Sequence, residues 1–288
     1  MNPLVSVGLP TYNRPERLRK ALDCLTNQTF TNLEIIVSND HSPNKDTYLI
    51  LEEYSKKDPR IKVYTQSQNL GIYANFYFVL QKATGKYFMY AQEDDLWEPD
   101  FIHSLVSQLE KHPEQAMAMS AANRIDEDGK YFDTTRFNGL SDLQLAYFAM
   151  YNERLSFLYM GLFQTDILKL FDCTSADIHG KDVTIMAEMI LSHPFGYIDL
   201  PLYTKGLEHG KAKQFFDTDP FCFLKMFVDF VHRLLFSRYI PLKKKLFLPL
   251  IIPVNGIWMI RAYLAQVIFL LPKDHPLRKA MRSNVQTK

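Results

Sequence analysis

The stretch LVSVGLPTYNRPERLRKALDCLTNQTFTNLEIIVSND, residues 4–40, decides the fold. Val5, Val7 and Leu9 alternate as in a strand. Pro10–Arg14 breaks that pattern, and Pro15 stands where a first helical residue favours proline. Leu18, Ala21, Leu22 and Leu25 then recur at helical spacing, which predicts a helix to about Gln28. Leu33–Ser38 reads as a second strand, ended by Asn39, Asp40 and Ser42 with Pro43 behind them.

The same unit repeats downstream. A helix is expected over roughly Asp46–Lys56 and a strand over Ile61–Tyr64. Gly71 opens a helix with Ile72, Phe76, Val79, Leu80 and Ala83 on one face, and Lys86–Ala91 is a fourth strand. Pro99 starts a further helix with Phe101, Leu105 and Leu109 inward. Such alternation with short connections predicts an α/β fold, a mostly parallel sheet with helices on both faces. Ligands in such sheets bind outside the carboxyl ends of the strands. The segments there, Pro10–Arg14, Asn39–Asp40, Gln66–Gly71 and Gln92–Asp95, are strongly polar. After residue 115 the pattern loosens. Ala116–Ala122, Phe157–Phe163 and Phe195–Leu200 read as strands and Asp182–Leu191 as a helix.

The chain has 288 residues, 47% apolar and 23% charged, enough for a substantial core. Three separated cysteines, Cys24, Cys173 and Cys222, form neither a disulfide framework nor a zinc pattern, so a reduced, cytoplasmic setting is expected. Met1 leads straight into strand-like sequence, which does not read as a signal peptide. The net charge of +1 hides an asymmetry. Residues 221–288 carry 12 Lys and Arg against Asp229 and Asp274, a net of +10, leaving −9 for residues 1–220.

Gln92-Glu93-Asp94-Asp95 follows the fourth strand. Carboxylates so crowded repel one another unless a cation neutralises them. Magnesium or manganese, held by one or two carboxylates plus substrate phosphates, is one solution; an acidic turn before the Pro99 helix is the other. Asp40 can accept hydrogen bonds from a base N–H or from ribose, or cap a turn. Tyr12 can stack on a base and Arg14 can face phosphate, or both can belong to a plain turn.

Pro10-Thr11-Tyr12-Asn13-Arg14 after strand one, Asn39-Asp40-His41-Ser42 after strand two, Asn69-Leu70-Gly71 before a helix, and Lys86–Tyr90 leading into Glu93-Asp94-Asp95 fall in one order. In that order the chain resembles the family 2 glycosyltransferases, inverting enzymes of the GT-A (Rossmann-like) fold, over about residues 4–210. The resemblance implies a nucleotide-sugar donor, UDP favoured, bound by Pro10, Thr11, Tyr12, Asn13, Arg14, Asp40, Asn69, Gly71, Glu93 and Asp94. It implies Mn2+ or Mg2+ on Asp94, with Asp95 and His209 as further candidate ligands. Gln92 stands where the longer motif has an aspartate. Asp182, in Gly180-Lys181-Asp182, matches the position of the catalytic base, with Lys181 a departure from the usual acidic neighbour. Residues 1–215 would then be the transferase domain, 1–115 its nucleotide half and 116–215 its acceptor half, with Gly161–Phe163 lining the acceptor pocket.

Residues 216–288 read as a basic, apolar helical tail. Five phenylalanines occupy residues 221–236, with Lys225, Asp229, His232 and Arg233 on one polar stripe. The apolar runs 246–260 and 262–272 are each shorter than the ~20 residues of a spanning helix, and Arg261 separates them. Lys243-Lys244-Lys245, Arg278, Lys279 and Arg282 suit an anionic membrane surface better than nucleic acid; packing on the catalytic domain or in a homo-oligomer is the alternative. The acceptor is expected to be a glycan or lipid-linked glycan at the inner face of the cell membrane. A non-catalytic nucleotide-sugar-binding relative is the second reading, because Gln92 and Lys181 depart from the pattern.

Overall fold

The computed structural model describes residues 2–125, 129–151, 158–171, 181–206 and 222–249, with residues 252 and 276. Its first half follows the strand–helix alternation: β1 (Val5–Thr11), α1 (Pro15–Thr26), β2 (Leu33–Asn39), α2 (Lys45–Lys57), β3 (Ile61–Thr65), α3 (Ile72–Lys82) and β4 (Tyr87–Tyr90). Then come β5 (Leu96–Trp97), α4 (Phe101–Lys111), β6 (Met117–Ile125), β7 (Tyr131–Thr135), α5 (Asp142–Tyr151), β8 (Leu162–Gln164), α6 (Thr165–Phe171), α7 (Lys181–Ser192) and β9 (Phe195–Gly206). A long helix, α8 (Cys222–Phe236), follows, and then a helical turn over Leu242–Lys245.

The strands form one sheet in the order β3-β2-β1-β4-β8-β6-β9-β5, with β7 beside β6. β1, β2, β3 and β4 run parallel. β8 is antiparallel to both β4 and β6, so β6 and its parallel neighbour β9 share the direction of β1. Every residue of β1, β2 and β4 is buried, as central strands covered by helices on both faces must be. Helix α1 supplies Leu18, Ala21, Leu22 and Leu25 to that core, all fully buried. Each buried leucine contributes about 1.5–3 kcal/mol.

One expectation changes at the site itself. Pro10 and Thr11 do not break the first strand; they end it, paired with Ser38 and Asn39 of β2. Proline is tolerated because the pairing of β1 with β4 stops at Gly8↔Tyr90. The N–H that Pro10 lacks would face the side where β4 has already ended. Past Gly8, β1 and β4 share no further pairing, the place at which an open parallel sheet forms its ligand crevice.

A second change concerns Gly161–Phe163. Leu162 and Phe163 are fully buried between β4 and β6, and a Cβ on Gly161 would stand 2.6 Å from the Ala118 carbonyl oxygen. These residues are sheet core and line no pocket. A third concerns α8. Its polar stripe is split: Asp229 and Arg233 turn inward, while Lys225 and His232 face solvent. Asp229 accepts from Thr184 of α7 at 2.7 Å and from Arg233 at 3.0 Å, and Arg233 reaches Glu188 of α7 at 3.4 Å.

At the opposite edge of the sheet, Glu34 ties four segments together. Its carboxylate accepts from Ser6 Oγ at 2.6 Å, Thr84 N–H at 2.8 Å, Thr84 Oγ1 at 2.7 Å and Lys62 Nζ at 2.6 Å. Ser6 Oγ in turn accepts from the Gly85 N–H at 2.8 Å. Burial alone would raise the Glu34 pKa, but the bonds from Lys62, Ser6 and Thr84 outweigh it and hold the carboxyl at about 2. A depressed folded-state pKa stabilises the fold above the unfolded value of ~4.3, and that contribution is lost as pH falls towards 2. Glu34→Gln is therefore expected to destabilise the protein by about 2 kcal/mol at pH 7 in urea unfolding. The gap from wild type should narrow steadily between pH 5 and pH 2; a gap that stays constant over that range would show that Glu34 is not the titrating anchor.

Candidate active site

The loops at the carboxyl ends of β1 and β2 hold each other. Asn13 and His41, the turning residues, have left-handed backbones with φ of 58° and 59°. Asparagine is among the few side chains that adopt this conformation readily. The Asn13 N–H donates to Ser42 Oγ at 2.9 Å, and the Ser42 N–H donates to Asn39 Oδ1 at 3.1 Å. The Asp40 N–H donates to the Thr11 carbonyl at 2.9 Å, so the two strand ends move together.

Asp40 is buried and fixes the approach to α3. One carboxylate oxygen accepts the Leu70 N–H at 2.7 Å and the other the Gly71 N–H at 3.1 Å. Gly71 also donates to Asn69 Oδ1 at 2.9 Å, and its φ of 84° is one that a side chain would resist. Asn69, Gly71 and Asp40 thus form one turn. Each Asp40 oxygen keeps a second lone pair for a ligand donor. Tyr12 is exposed at the rim of the crevice.

Across the crevice the three acids have three different surroundings. Glu93 accepts a short hydrogen bond from Thr11 Oγ1, bridging β4 to β1. Burial, opposed by the Thr11 bond and the Arg14 charge, pushes its carboxyl up to about 7. Asp94 is gripped by two guanidinium groups from the start of α1. Arg14 donates to its two oxygens at 2.9 and 3.1 Å, and Arg17 makes a short ion pair with one of them. Asp95 points into the core, where burial raises its carboxyl to about 6 against a hydrogen bond from Tyr203. One Asp95 oxygen has no hydrogen-bond partner, and the Tyr203 phenol beside it is pushed well above its ordinary value by burial and then by Asp95.

The acid loop is clamped from behind by β9. Leu96 and Trp97 pair antiparallel with Thr204 and Tyr203, and the Glu98 N–H donates to the Leu202 carbonyl at 2.9 Å. Gly206 at the end of β9 lies so close that a Cβ would sit 2.3 Å from the Asp94 carbonyl oxygen.

Thr11, Arg14, Asp40, Glu93 and Asp94 are thus gathered at one edge of the sheet. Asp182 stands in the first turn of α7, half-buried. His209 and Gly180 lie outside the described residues. The sequence reading missed Arg17, Tyr203 and Gly206. Arg17 had a signal, one helical turn from Arg14 on the same face; Tyr203 and Gly206 had none.

The donor set can be tested against a divalent cation. Among the described residues no group of three or more His, Cys, Asp and Glu side chains converges on a metal position. Magnesium and manganese sites in phosphate-binding enzymes need only one or two carboxylates, the remainder being phosphate oxygens and water. Asp94 meets that requirement. Beside it, Arg14, Pro15, Glu16, Arg17 and Asn44 line a cavity of about 460 Å³.

A profile described as "Glycosyl transferase family 2" matches residues 6–176. An uncharacterized glycosyltransferase of Haemophilus influenzae is 41% identical over 110 residues, 38% of this chain and 34% of that protein. Glycosyltransferase GlyA of Streptococcus pneumoniae is 28% identical over 172 residues, 60% of this chain and 23% of that protein. The chain thus spans well under half the length of these curated relatives. Among solved structures, S. aureus TarS 1-349 in complex with UDP-GlcNAc superposes with a TM-score of 0.66 at 18% identity, covering 83% of this chain and 69% of that one. The mannosyltransferase PcManGT from Pyrobaculum calidifontis, in complex with GDP-Man and Mn2+, gives 0.61 at 15% identity, covering 100% and 81%. At such identities the likeness establishes the fold, GT-A.

The Gly206 contact has a direct consequence. Gly206→Ala must push the acid loop away, and is expected to lower stability by about 1–3 kcal/mol, read as a fall in melting temperature. A variant that melts with wild type would show that the loop yields freely.

Proposed function

The chain belongs to glycosyl transferase family 2, and on that footing we propose that it transfers one sugar, with inversion, from a nucleotide-diphosphate sugar to a glycan or lipid-linked acceptor. The observation that carries this reading is the convergence of Thr11, Asp40, Glu93 and Asp94 on the crevice where β1 and β4 part. That is the switch point at which open α/β sheets bind nucleotides. The nucleotide-sugar ligands of TarS and PcManGT support the donor class. A UDP-sugar is favoured by Asp40, whose remaining lone pairs can accept a base N–H.

The residues then divide the work. Tyr12 stacks on the base and Asp40 orients it. Pro10, Asn13, Asn69 and Gly71 shape the pocket, and Thr11 holds Glu93 against the ribose. Arg14 faces the diphosphate. Asp94 would hold Mg2+ or Mn2+, which when bound neutralises charge on the leaving diphosphate; the Mn2+ in PcManGT supports that choice. Asp182 takes the proton of the acceptor hydroxyl as it attacks. In-line attack from the opposite face inverts the anomeric centre without an enzyme nucleophile. Residues 1–115 form the donor half and 116–215 the acceptor half. The experiment is a panel of UDP-, GDP- and dTDP-sugars with manganese or magnesium and a membrane lipid extract, with released nucleotide recorded. Asp94→Ala and Asp182→Asn are each expected to lower release by at least about 100-fold. Nucleotide-sugar binding without release in the wild type would favour the non-catalytic relative instead.

The protein acts at the inner face of a membrane as a peripheral enzyme, attached through residues 221–288. Among the described residues no helix is long and apolar enough to cross a membrane. What supports attachment is a surface near the end of α8, where Phe236, Leu242 and Leu246 are 74%, 75% and 71% exposed. Arg238 and Lys243 follow the same stretch and are also exposed, while Lys245 is half-buried. Apolar side chains flanked by cations suit an anionic headgroup layer. Flotation with vesicles containing one-third anionic lipid should recover the wild type and lose Phe236→Ser/Leu246→Ser. Equal recovery of both would turn the surface over to self-association, which sedimentation would read.

A further inference from the structure

The β6–β7 hairpin presents an exposed tyrosine that the chemistry proposed above does not use. Gly206 of β9 pairs with Ile125 of β6, and Ile125 pairs with Tyr131 of β7. Residues opposite one another in a sheet share a face. A Cβ on Gly206 would stand 3.5 Å from the Asp94 Cβ, so Asp94 heads the same row: Asp94, Gly206, Ile125, Tyr131. The neighbouring row is Leu96, Thr204, Asn123 and Thr134, which pair in that order, and it looks the opposite way except where the tyrosine reaches it. Tyr131 does reach it: its phenol lies 2.9 Å from Thr134 Oγ1, which donates to Asn123 Oδ1 at 2.7 Å. The bulge between Arg124 and Ile125, with Phe132 as its extra residue, makes this possible by shifting the alternation of β7 by one. Arg124, buried, fixes the bulge from the other side. It donates to both oxygens of Asp133 at 2.5 Å and lies over the Phe132 ring at 5.0 Å.

We propose that Tyr131 is the stacking platform of an acceptor subsite, taking a neutral pyranose of the glycan that receives the sugar. This rests on the glycosyltransferase reading above. Three physical points carry it. The first is position. Three strand intervals of ~4.8 Å put Tyr131 about 14 Å from Asp94 along one row, beyond the sugar being transferred and within reach of the acceptor that meets it. Gly206, the second member of the row, adds no side chain between them. The second is the ring itself. A phenol bonded to the residue three places along its own strand lays its ring along the ribbon, and Tyr131 is 59% exposed. The C–H groups on one side of a pyranose suit the negative face of such a ring. The third is what stands beside it. Among the described residues nothing accepts from the Asn123 amide nitrogen, which is not sealed from solvent and can donate to a sugar hydroxyl. Ile125, Tyr131, Asn123 and Thr134 are all uncharged, which suits a neutral sugar and offers a phosphate no cation.

The test is sugar binding, without turnover. Saturation-transfer difference NMR is recorded on the full chain with the α- and β-methyl glycosides of glucose, galactose, mannose, N-acetylglucosamine and rhamnose, in the presence of UDP or GDP. Wild type, Tyr131→Phe, Tyr131→Ala and Phe132→Ala are compared, and circular dichroism checks that each folds. Calorimetry with UDP and GDP reads the donor site separately. Wild type should transfer saturation to the ring protons of at least one glycoside, and Tyr131→Phe, which keeps the ring, should do the same. Tyr131→Ala should bind that glycoside about tenfold more weakly, with nucleotide affinity unchanged. Phe132→Ala, on the Arg124 side of the hairpin, should match wild type. Wild type that binds nucleotide but none of the glycosides, or Tyr131→Ala that binds them as wild type does, overturns the subsite and leaves the donor site standing. Wild type that binds neither UDP nor GDP removes the donor-site reading, and with it the ground for an acceptor at Tyr131.

Discussion

Past Gly8 the first and fourth strands have no backbone hydrogen bonds left to share, and the site exists because of that parting. A parallel sheet offers its ligand a crevice only where neighbouring strands lead their chains in opposite directions. Here β1 passes to β2 on one side, while β4 leads to the acid loop on the other. Every polar group of the site is placed by reference to this gap. Thr11 is the last residue of β1, Asp40 is tied to it by a backbone bond, and Glu93 reaches back across it.

The acid loop shows how one short run of like charges can be made tolerable without being made uniform. Glu93 is buried against a hydroxyl, Asp95 is sunk beside a phenol, and Asp94 is left to two guanidinium groups. Burial raises two of the three carboxyls above their ordinary values, and the charge of Asp94 adds to the effect. The third meets the guanidinium groups of Arg14 and Arg17. Three adjacent residues thus acquire separate chemistry because the backbone turns each towards a different wall.

Much of this was legible in the sequence, for a physical reason. In the first 110 residues, local pattern and tertiary role coincide: alternating apolar residues make buried strands, helical spacing makes the covering layer, and polar residues after each strand make the site. The order of Pro10–Arg14, Asn39–Asp40, Asn69–Gly71 and Glu93–Asp95 therefore fixed the place of the crevice. What escaped was whatever depends on distant chain. Tyr203 and Gly206 touch the acid loop through the pairing of β5 with β9, and a strand of two residues such as β5 has no period to read. Gly161–Phe163 reads as a strand or a pocket wall equally well until β4 and β6 close over it. In α8 four polar residues fall on one stripe, yet only the contacts with α7 show that Asp229 and Arg233 are consumed by Thr184 and Glu188. Side chains that seek water in an isolated helix seek each other when two helices dock.

Pro10 carries a consequence of a different kind. A gap between two strand ends is an open edge, and open edges invite other strands to add and aggregate. At this edge the residue facing the gap is an imino acid, so β1 presents a carbonyl there and no N–H. An intruding peptide would find no donor at the position where its own ladder must begin. The mouth of the crevice stays open to small molecules and closed to strand addition, a defence against misassembly made by one ring.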